Sequence, residues 1–413
     1  MGMNARRRAQ GVFALLFCAA LVAYAALCLR THGAAMQAAL SEIKRPASAE
    51  ELRAITPALD KILYKNLYGR LLLSEAHARV QRFMGKYETN GFAILRDKEG
   101  FLEYGGLAVY SPEAARAQAQ KLWRLKSKAA MRGGKLLFVS PPVRHRRYEP
   151  ETYAADLPYP DLHALYDAVF YHLQRYGVAS LDLRADFEKE ALPFEAYAFR
   201  TDDRLTAEAA FAAFCAATEA LNRDFGAQLD SKGFYRDIRN YEKTTYAQSF
   251  LGSLGKRAGI AFGGLDDFTV LWPTFPSLYE LSAEKRDGSE RTWLGPAHTT
   301  LLRPSVLKKA AETRDPYGTD LYKVYLGDAY PYARIRNLAA EEDAPRLLLL
   351  HDGGGAPLAV LLAPLFKEIR VIHTGAARSP SDAQSRLRDF MEKSPPDYII
   401  VESRAENLEQ VLP

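Results

Sequence analysis

Four consecutive leucines, Leu347 to Leu350, run straight into His351-Asp352 and a triple glycine, Gly353-Gly354-Gly355, before a helix-like stretch with Pro357 near its start. A strand that is apolar on both faces cannot lie on a half-wetted sheet; it needs helices on either side, which is the setting of a parallel α/β sheet. The run "YIIV" at 398–401 repeats the pattern. Around them the two periodicities alternate, with strands at 135–140, 179–183, 346–351, 369–373 and 398–402 and helices at 161–176, 207–222, 356–366 and 381–393. The fold class to expect is α/β, a three-layer, flavodoxin-like parallel sheet with helices on both faces. An aromatic, loop-rich stretch at about 226–343 reads as an irregular insertion into it, and "NGFAILRDKEGFLEYGG" near the start reads as a hairpin.

The N-terminal end imposes a second constraint. Gly11 to Leu29 is 19 residues without a charge, and as a helix it reaches roughly 28 Å, about one hydrocarbon core. Arg6, Arg7 and Arg8 precede it, and after Arg30 no Lys or Arg follows until Lys44. The positive-inside rule then places the N-terminus in the cytoplasm and residues 31–413 outside. The expectation is a cytoplasmic stub and single-pass signal anchor over residues 1–30, in the inner or cytoplasmic membrane, with the bulk of the chain periplasmic or extracellular. A cleaved signal peptide is the competing reading. Residues 31–88 alternate charge with Leu, Ile and Tyr at helical spacing and read as a helical stalk.

Cys18 and Cys28 fall inside the apolar run, so Cys215 is alone outside it and no disulfide framework is available there. A formal charge of +5, from 55 basic and 50 acidic residues, gives no support to a nucleic-acid partner. Eight histidines are dispersed and form no metal-ligand spacing, so neither a metal nor a cofactor is expected.

In α/β sheets, ligands sit beyond the carboxyl ends of the strands. Three loops qualify: "SPPVRHRRYEPE" after Ser140, "RTDDRLT" after the extended stretch near Phe199, and "HDGGGAP" after Leu350. The triple glycine brings bare amides toward the following helix, either as a tight turn or as an anion or oxyanion cradle; the dinucleotide and phosphate-loop patterns are both missing. In "RTDDRLT", Thr206 caps a helix and Glu208 sits in its first turn. That leaves Asp202, Asp203 and Arg204 to be explained, and an internal salt bridge is one reading, since Asp202 and Arg204 share a side of an extended segment. Arg144, His145, Arg146 and Arg147 gather four potentially cationic groups on one loop, either a solvated face or a site for an anionic glycan or lipid headgroup.

Taken in order, these loops resemble the DHHW proteins and the AlgX and AlgJ type alginate O-acetylation proteins, which carry SGNH-hydrolase-like domains. "LLFVSPPVRHRRYEPE" resembles the family's strand and proline pair, "FEAYAFRTDDRLTAEAAF" its approach to Thr-Asp-His-His-Trp-Thr, and "RLLLLHDGGGAPLAVLLAPLF" its strand ending in Asp-Ser-Phe or Asp-Ser-Tyr. The resemblance implies an SGNH-hydrolase-like domain over 89–413 and a Ser-His-Asp triad for acyl transfer or ester hydrolysis. Carried over residue by residue, Asp202 keeps the carboxylate, Asp203 replaces the first His, Arg204 the catalytic His and Leu205 the Trp; Asp352 is kept and Gly353 stands where the nucleophilic Ser belongs, with Gly354 and Gly355 beside it. Glycine has no nucleophile, and arginine stays protonated and cannot be a general base.

The resulting expectation is a catalytically degenerate, membrane-anchored component of cell-envelope polysaccharide O-acetylation, with the membrane, a membrane-bound O-acyltransferase and an envelope polysaccharide as implied partners. Two alternatives stay open: an active O-acetyltransferase or esterase with relocated residues, such as Ser140 or Thr206 with His145 or His351, and a nucleotide- or anion-binding domain built on Gly353–Gly355.

Overall fold

The structure, a computed structural model, describes residues 3–41, 43, 48–106, 111–146, 149–189 and 192–412, and the chain divides into two compact units, Met1–Phe83 and Met84–Pro413. The first unit is helical, with helices Met3–Ser41, Ala49–Lys65 and Arg70–Phe83. Within the first of these, Gly11–Ser41 is long and apolar enough to cross a membrane, with a hydropathy of 2.6; an anchor and a signal sequence both have this character. The helix does not stop at residue 30, because the alanine-rich stretch after Arg30 holds no proline and no Asp, Glu, Lys or Arg before Ser41, and the single Gly33 is tolerated within it. The next helix starts where Ser48 Oγ accepts the Glu51 amide at 3.1 Å.

The second unit opens with a small antiparallel sheet of β1 (Glu88–Thr89), β2 (Ile94–Arg96) and β3 (Leu102–Tyr104), with Ile94 opposite Tyr104. The "RDKEG" turn joins β2 to β3, as the hairpin reading expects: Asp97 Oδ1 accepts the amides of Gly100 and Phe101 at 2.7 and 2.8 Å. There follow β4 (Lys135–Ser140), β5 (Ala179–Asp182), β6 (Tyr241–Phe250), β7 (Asp266–Pro273), β8 (Tyr279–Glu284), β9 (Glu290–Gly295), β10 (Tyr332–Asn337), β11 (Arg346–His351), β12 (Glu368–His373) and β13 (Tyr398–Glu402).

The main sheet has the order β5-β4-β13-β11-β12-β10-β8-β9. From β5 to β12 the pairings are parallel, and from β12 outward they are antiparallel. The sheet is therefore mixed rather than wholly parallel, and the 226–343 stretch supplies its antiparallel part together with a separate β6–β7 ribbon. These strands read as loops in the sequence because they are only half covered: β9 is largely exposed and β8 alternates buried with half-buried residues. Antiparallel strands with one wet face lack the continuous apolar run that marks β11.

The leucines of β11 divide between two cores as strand alternation requires. Leu347 and Leu349 pack with helix Ala207–Phe225 and helix Ala356–Leu362, while Leu348 and Leu350 pack with helices Pro112–Ala130, His163–Arg175 and Pro380–Lys393. All four are buried, each worth roughly 1.5–3 kcal/mol of apolar burial. This double covering fixes β11 at the centre and so fixes where its last residue, His351, and the glycine turn emerge.

Candidate functional site

All three sequence-selected loops reach the carboxyl end of this sheet, Pro141 of the first lining the cavity that the other two form. "RTDDRLT" is not preceded by a strand: Phe194–Tyr197 is a helical turn, and Ala198 makes a single antiparallel bridge to Leu205. The knot is pinned by Asp266, whose Oδ2 accepts Thr201 Oγ1 at 2.5 Å and the Thr201 amide at 2.9 Å. Gly252 and Gly255 lie against Thr201, each donating an amide to it. Thr206 then caps helix Ala207–Phe225 by accepting the Ala209 amide at 3.2 Å.

Asp202 is fully buried, and its carboxylate is saturated by donors. Oδ1 accepts Arg204 Nε at 2.7 Å and the Arg204 amide at 2.9 Å; Oδ2 accepts Arg204 Nη2 at 2.9 Å and the Ser253 amide at 2.8 Å. Arg204 also meets both oxygens of Asp320, at 3.1 and 3.2 Å, and lies 4.1 Å from the Tyr322 ring centroid. Burial by itself would weaken both charges, yet the Arg204 guanidinium holds Asp202 below the usual carboxylate range, and Asp202 with Asp320 hold Arg204 above its ordinary value. Arg204 is thus a fixed cation with no proton to exchange.

The glycine turn faces it. Tyr322 Oη lies 3.2 Å from the carbonyls of both Leu205 and Gly354, tying the two loops together. Gly353 has φ +139°, and a Cβ there would sit 3.4 Å from His373 Nε2. The amides of Gly353 and Gly355 do not point outward to an anion: both donate to His351 Nδ1, at 3.1 and 3.3 Å. That bond places the His351 proton on Nε2. Burial and the neighbouring His373, stacked at 4.6 Å, push its pKa well below the usual imidazole value.

His351 belongs to a row across three parallel strands, His373 on β12, His351 on β11 and Glu402 on β13, paired in register. Glu402 is buried; desolvation, then the nearby Asp352 charge, push its carboxyl well above the usual range against the opposing pull of Arg404, and its Oε2 has no hydrogen-bond partner. His373 is driven down by burial, with Asp352 opposing. Asp352 accepts Ser403 Oγ at 3.3 Å and Asn407 Nδ2 at 3.0 Å, and Asp203 pairs with Arg404 at 3.3 Å. Together these groups line a cavity of about 220 Å³ that includes Asp203, Arg204, Ser253, Asp352, Gly353, Gly354, His373, Glu402 and Arg404. A smaller one of about 60 Å³ shares Arg204, Gly353 and His373 and adds His351 and Tyr322.

The basic loop does something else. Arg144 donates to the carbonyls of Asp202, Leu102 and Phe199 at 2.6 to 2.9 Å, and Arg146 pairs with Asp97, Glu99 and Glu149. Both of these side chains are engaged inside the fold; His145 stacks on Tyr153 at 4.5 Å, and Arg147 lies outside the described residues. The loop's role is to brace the Asp202 knot. His145 also stands near Asp161 and His163 with ligand atoms within 4.8 Å, but both ring nitrogens of His163 are engaged, by the His145 carbonyl and by Arg184. Among the relocated candidates, Ser140 is buried and bonds the Pro141 carbonyl, and Thr206 is occupied as a cap; neither hydroxyl meets a histidine among the described residues.

Sequence reasoning missed Asp320, Tyr322, His373, Glu402, Ser253 and Arg404. For His373 and Glu402 a signal was present, since each is the polar last residue of a strand and so stands at the carboxyl edge of the sheet. Asp320 and Tyr322 reach the site by a long-range return of the chain.

Residues 104–260 match the family model described as the SGNH hydrolase-like domain of acetyltransferase AlgX. That segment contains the Asp202–Arg204 knot but not the glycine turn. No curated protein sequence matches the chain significantly. Among solved structures, the chain is similar to PatB1 of Bacillus cereus with a sulfonyl adduct, at TM-score 0.58 and 14% identity over 76% of this chain and 97% of that one. It is also similar to a DHHW family protein from Eubacterium siraeum, at TM-score 0.52 and 13% identity over 78% and 93%. The body has an SGNH-like α/β fold with a mixed sheet and helices on both faces.

Proposed function

We propose that this chain is a membrane-attached, extracytoplasmic member of the O-acetylation machinery of a cell-envelope polysaccharide, in which the SGNH-like body binds glycan rather than turning it over. The observation that carries this reading is the pairing of Arg204 with Asp202 and Asp320, opposite a side-chain-free Gly353, on the walls of one cavity. A nucleophilic triad needs a hydroxyl, a base that exchanges a proton and a carboxylate that orients the base. Here the carboxylate remains, its partner is a permanent cation, and the hydroxyl is gone. The apolar Gly11–Ser41 helix supports the membrane attachment, and the AlgX-type match supports the acetylation setting.

What the cavity offers a ligand is hydrogen bonding: a buried Glu402 carboxyl whose pKa is raised and whose Oε2 is unpartnered, and the Ser253 hydroxyl. Such a set suits the hydroxyl and ester groups of an acetylated sugar. A second reading, residual acyl transfer through relocated groups, draws on Ser253, His373 and Glu402 lining the same cavity. One experiment separates the two. The full chain in neutral detergent is incubated with a chromogenic acetyl ester and, separately, melted with acetylated oligosaccharides. The binding reading expects no turnover above a heat-denatured control and a rise in melting temperature with the sugars. Turnover that Ser253→Ala or His373→Ala abolishes would establish the enzyme instead.

A further inference from the structure

Away from this cavity, a groove of about 490 Å³ runs between helix Pro112–Ala130 and helix Pro380–Lys393. Its rim carries Lys121, Arg124, Lys128, Arg132 and Arg388 against the single acid Glu392. Five buried or half-buried arginines of this body, Arg146, Arg184, Arg204, Arg236 and Arg404, each hold a carboxylate. Among the described residues, none of the five groove cations does. Like charges left unpaired along one groove cost stability by mutual repulsion, so the arrangement is poised for an anion from outside.

The floor tells which anion. Leu125, Met391 and Leu412 lie beneath the rim and are 4–6% exposed, while Met131 stands at the lip and is 74% exposed. A cationic rim over an apolar floor matches an amphiphile with an anionic head and a hydrocarbon body. An acidic glycan would want a stacking platform, and the groove lining contains no aromatic side chain. We infer that this groove docks anionic phospholipid at the surface of the bilayer.

The placement gives the docking a direction. Helix Pro112–Ala130 ends just before β4 begins at Lys135, and helix Pro380–Lys393 just before β13 begins at Tyr398. The groove thus flanks the amino ends of the strands, whereas Asp352 and Glu402 stand at the carboxyl ends. With the groove on lipid, the candidate cavity faces away from the membrane, toward material outside it.

The test places the full chain in nanodiscs containing phosphatidylglycerol with a photoreactive headgroup and maps the cross-links. They are expected to concentrate on 121–132 and 384–392, to be competed by excess phosphatidylglycerol but not by phosphatidylcholine, and to weaken at high salt. Reversal of the exposed rim residues in Arg124→Glu, Lys128→Glu and Arg388→Glu lowers labelling by about five-fold per removed cation, while an unchanged melting temperature reports that the body is intact. Labelling spread evenly over the surface, or retained in the triple variant, overturns the inference. So does competition by a soluble polyuronate as strong as that by phosphatidylglycerol, which would reassign the groove to an acidic glycan.

Discussion

At the scale of single residues, the site is governed by where charge is held and where it is refused. Asp202 is fully buried and survives as an anion because Arg204 supplies two side-chain donors to it. In Arg204→Ala the carboxylate would keep only backbone donors, and stripping one partner from such a pair costs roughly 3–5 kcal/mol. Because the Arg204 side chain is itself 20% exposed, the lower end of that range is expected in chemical denaturation in detergent. Removing both charges in Asp202→Ala/Arg204→Leu should cost less than Arg204→Ala alone; a larger loss would show that the pair does more than neutralise itself. Glu103 is the opposite case. Burial, opposed by Arg144 and aided by Asp97, pushes its carboxyl up to about 8. A raised pKa means the folded state holds a proton the unfolded chain releases, so stability is complete below about 4.5 and falls by about 1.4 kcal/mol per pH unit up to about 8. Glu103→Gln should flatten that decline between pH 5 and 8, readable from melting temperatures across the range; an unchanged slope would place the titration elsewhere.

At the scale of elements, legibility in the sequence tracked how completely an element is covered. β4, β11 and β13 were readable because both of their faces are buried, which forces runs such as "LLLL" and "YIIV". Helix Ala207–Phe225 was readable from its Thr206 cap and small-residue face, although it continues to a left-handed Gly226 rather than ending at Asn222. β6 to β10 were not, since strands with one wet face and residues such as "YEKTTYAQSF" lack the continuous apolar run. The site divides in the same way. Asp202, Arg204 and Gly353 stood out because neighbours in sequence made them odd, whereas Asp320 and Tyr322 became visible only once a 3-10 turn at Leu321–Val324 had folded back onto Arg204. The basic loop shows a related point: charge in a sequence does not reveal whether it points outward, and Arg144 and Arg146 point in.

At the scale of the whole molecule, the mixed sheet determines what its borders can do. A parallel sheet extended by three antiparallel strands ends at β9, whose outer side has no partner strand among the described residues. The opposite border, β5, is only four residues long and passes directly into helix Leu183–Lys189. An unpaired strand presents a ladder of free amides and carbonyls that a second chain can continue. On β9 the residues Glu290 and Arg291 are exposed and charged, while Leu294 is 68% exposed without such protection. Glu290→Val/Arg291→Val should therefore turn a monodisperse preparation into one that grows concentration-dependent, β-rich oligomers in light scattering; a variant that stayed monodisperse would mean that twist alone closes this border. On the proposed reading of a chain fastened to a bilayer the matter is sharper than in solution, because confinement to two dimensions raises the frequency with which such borders meet, and the two charges would then serve as spacing between neighbours on the same membrane.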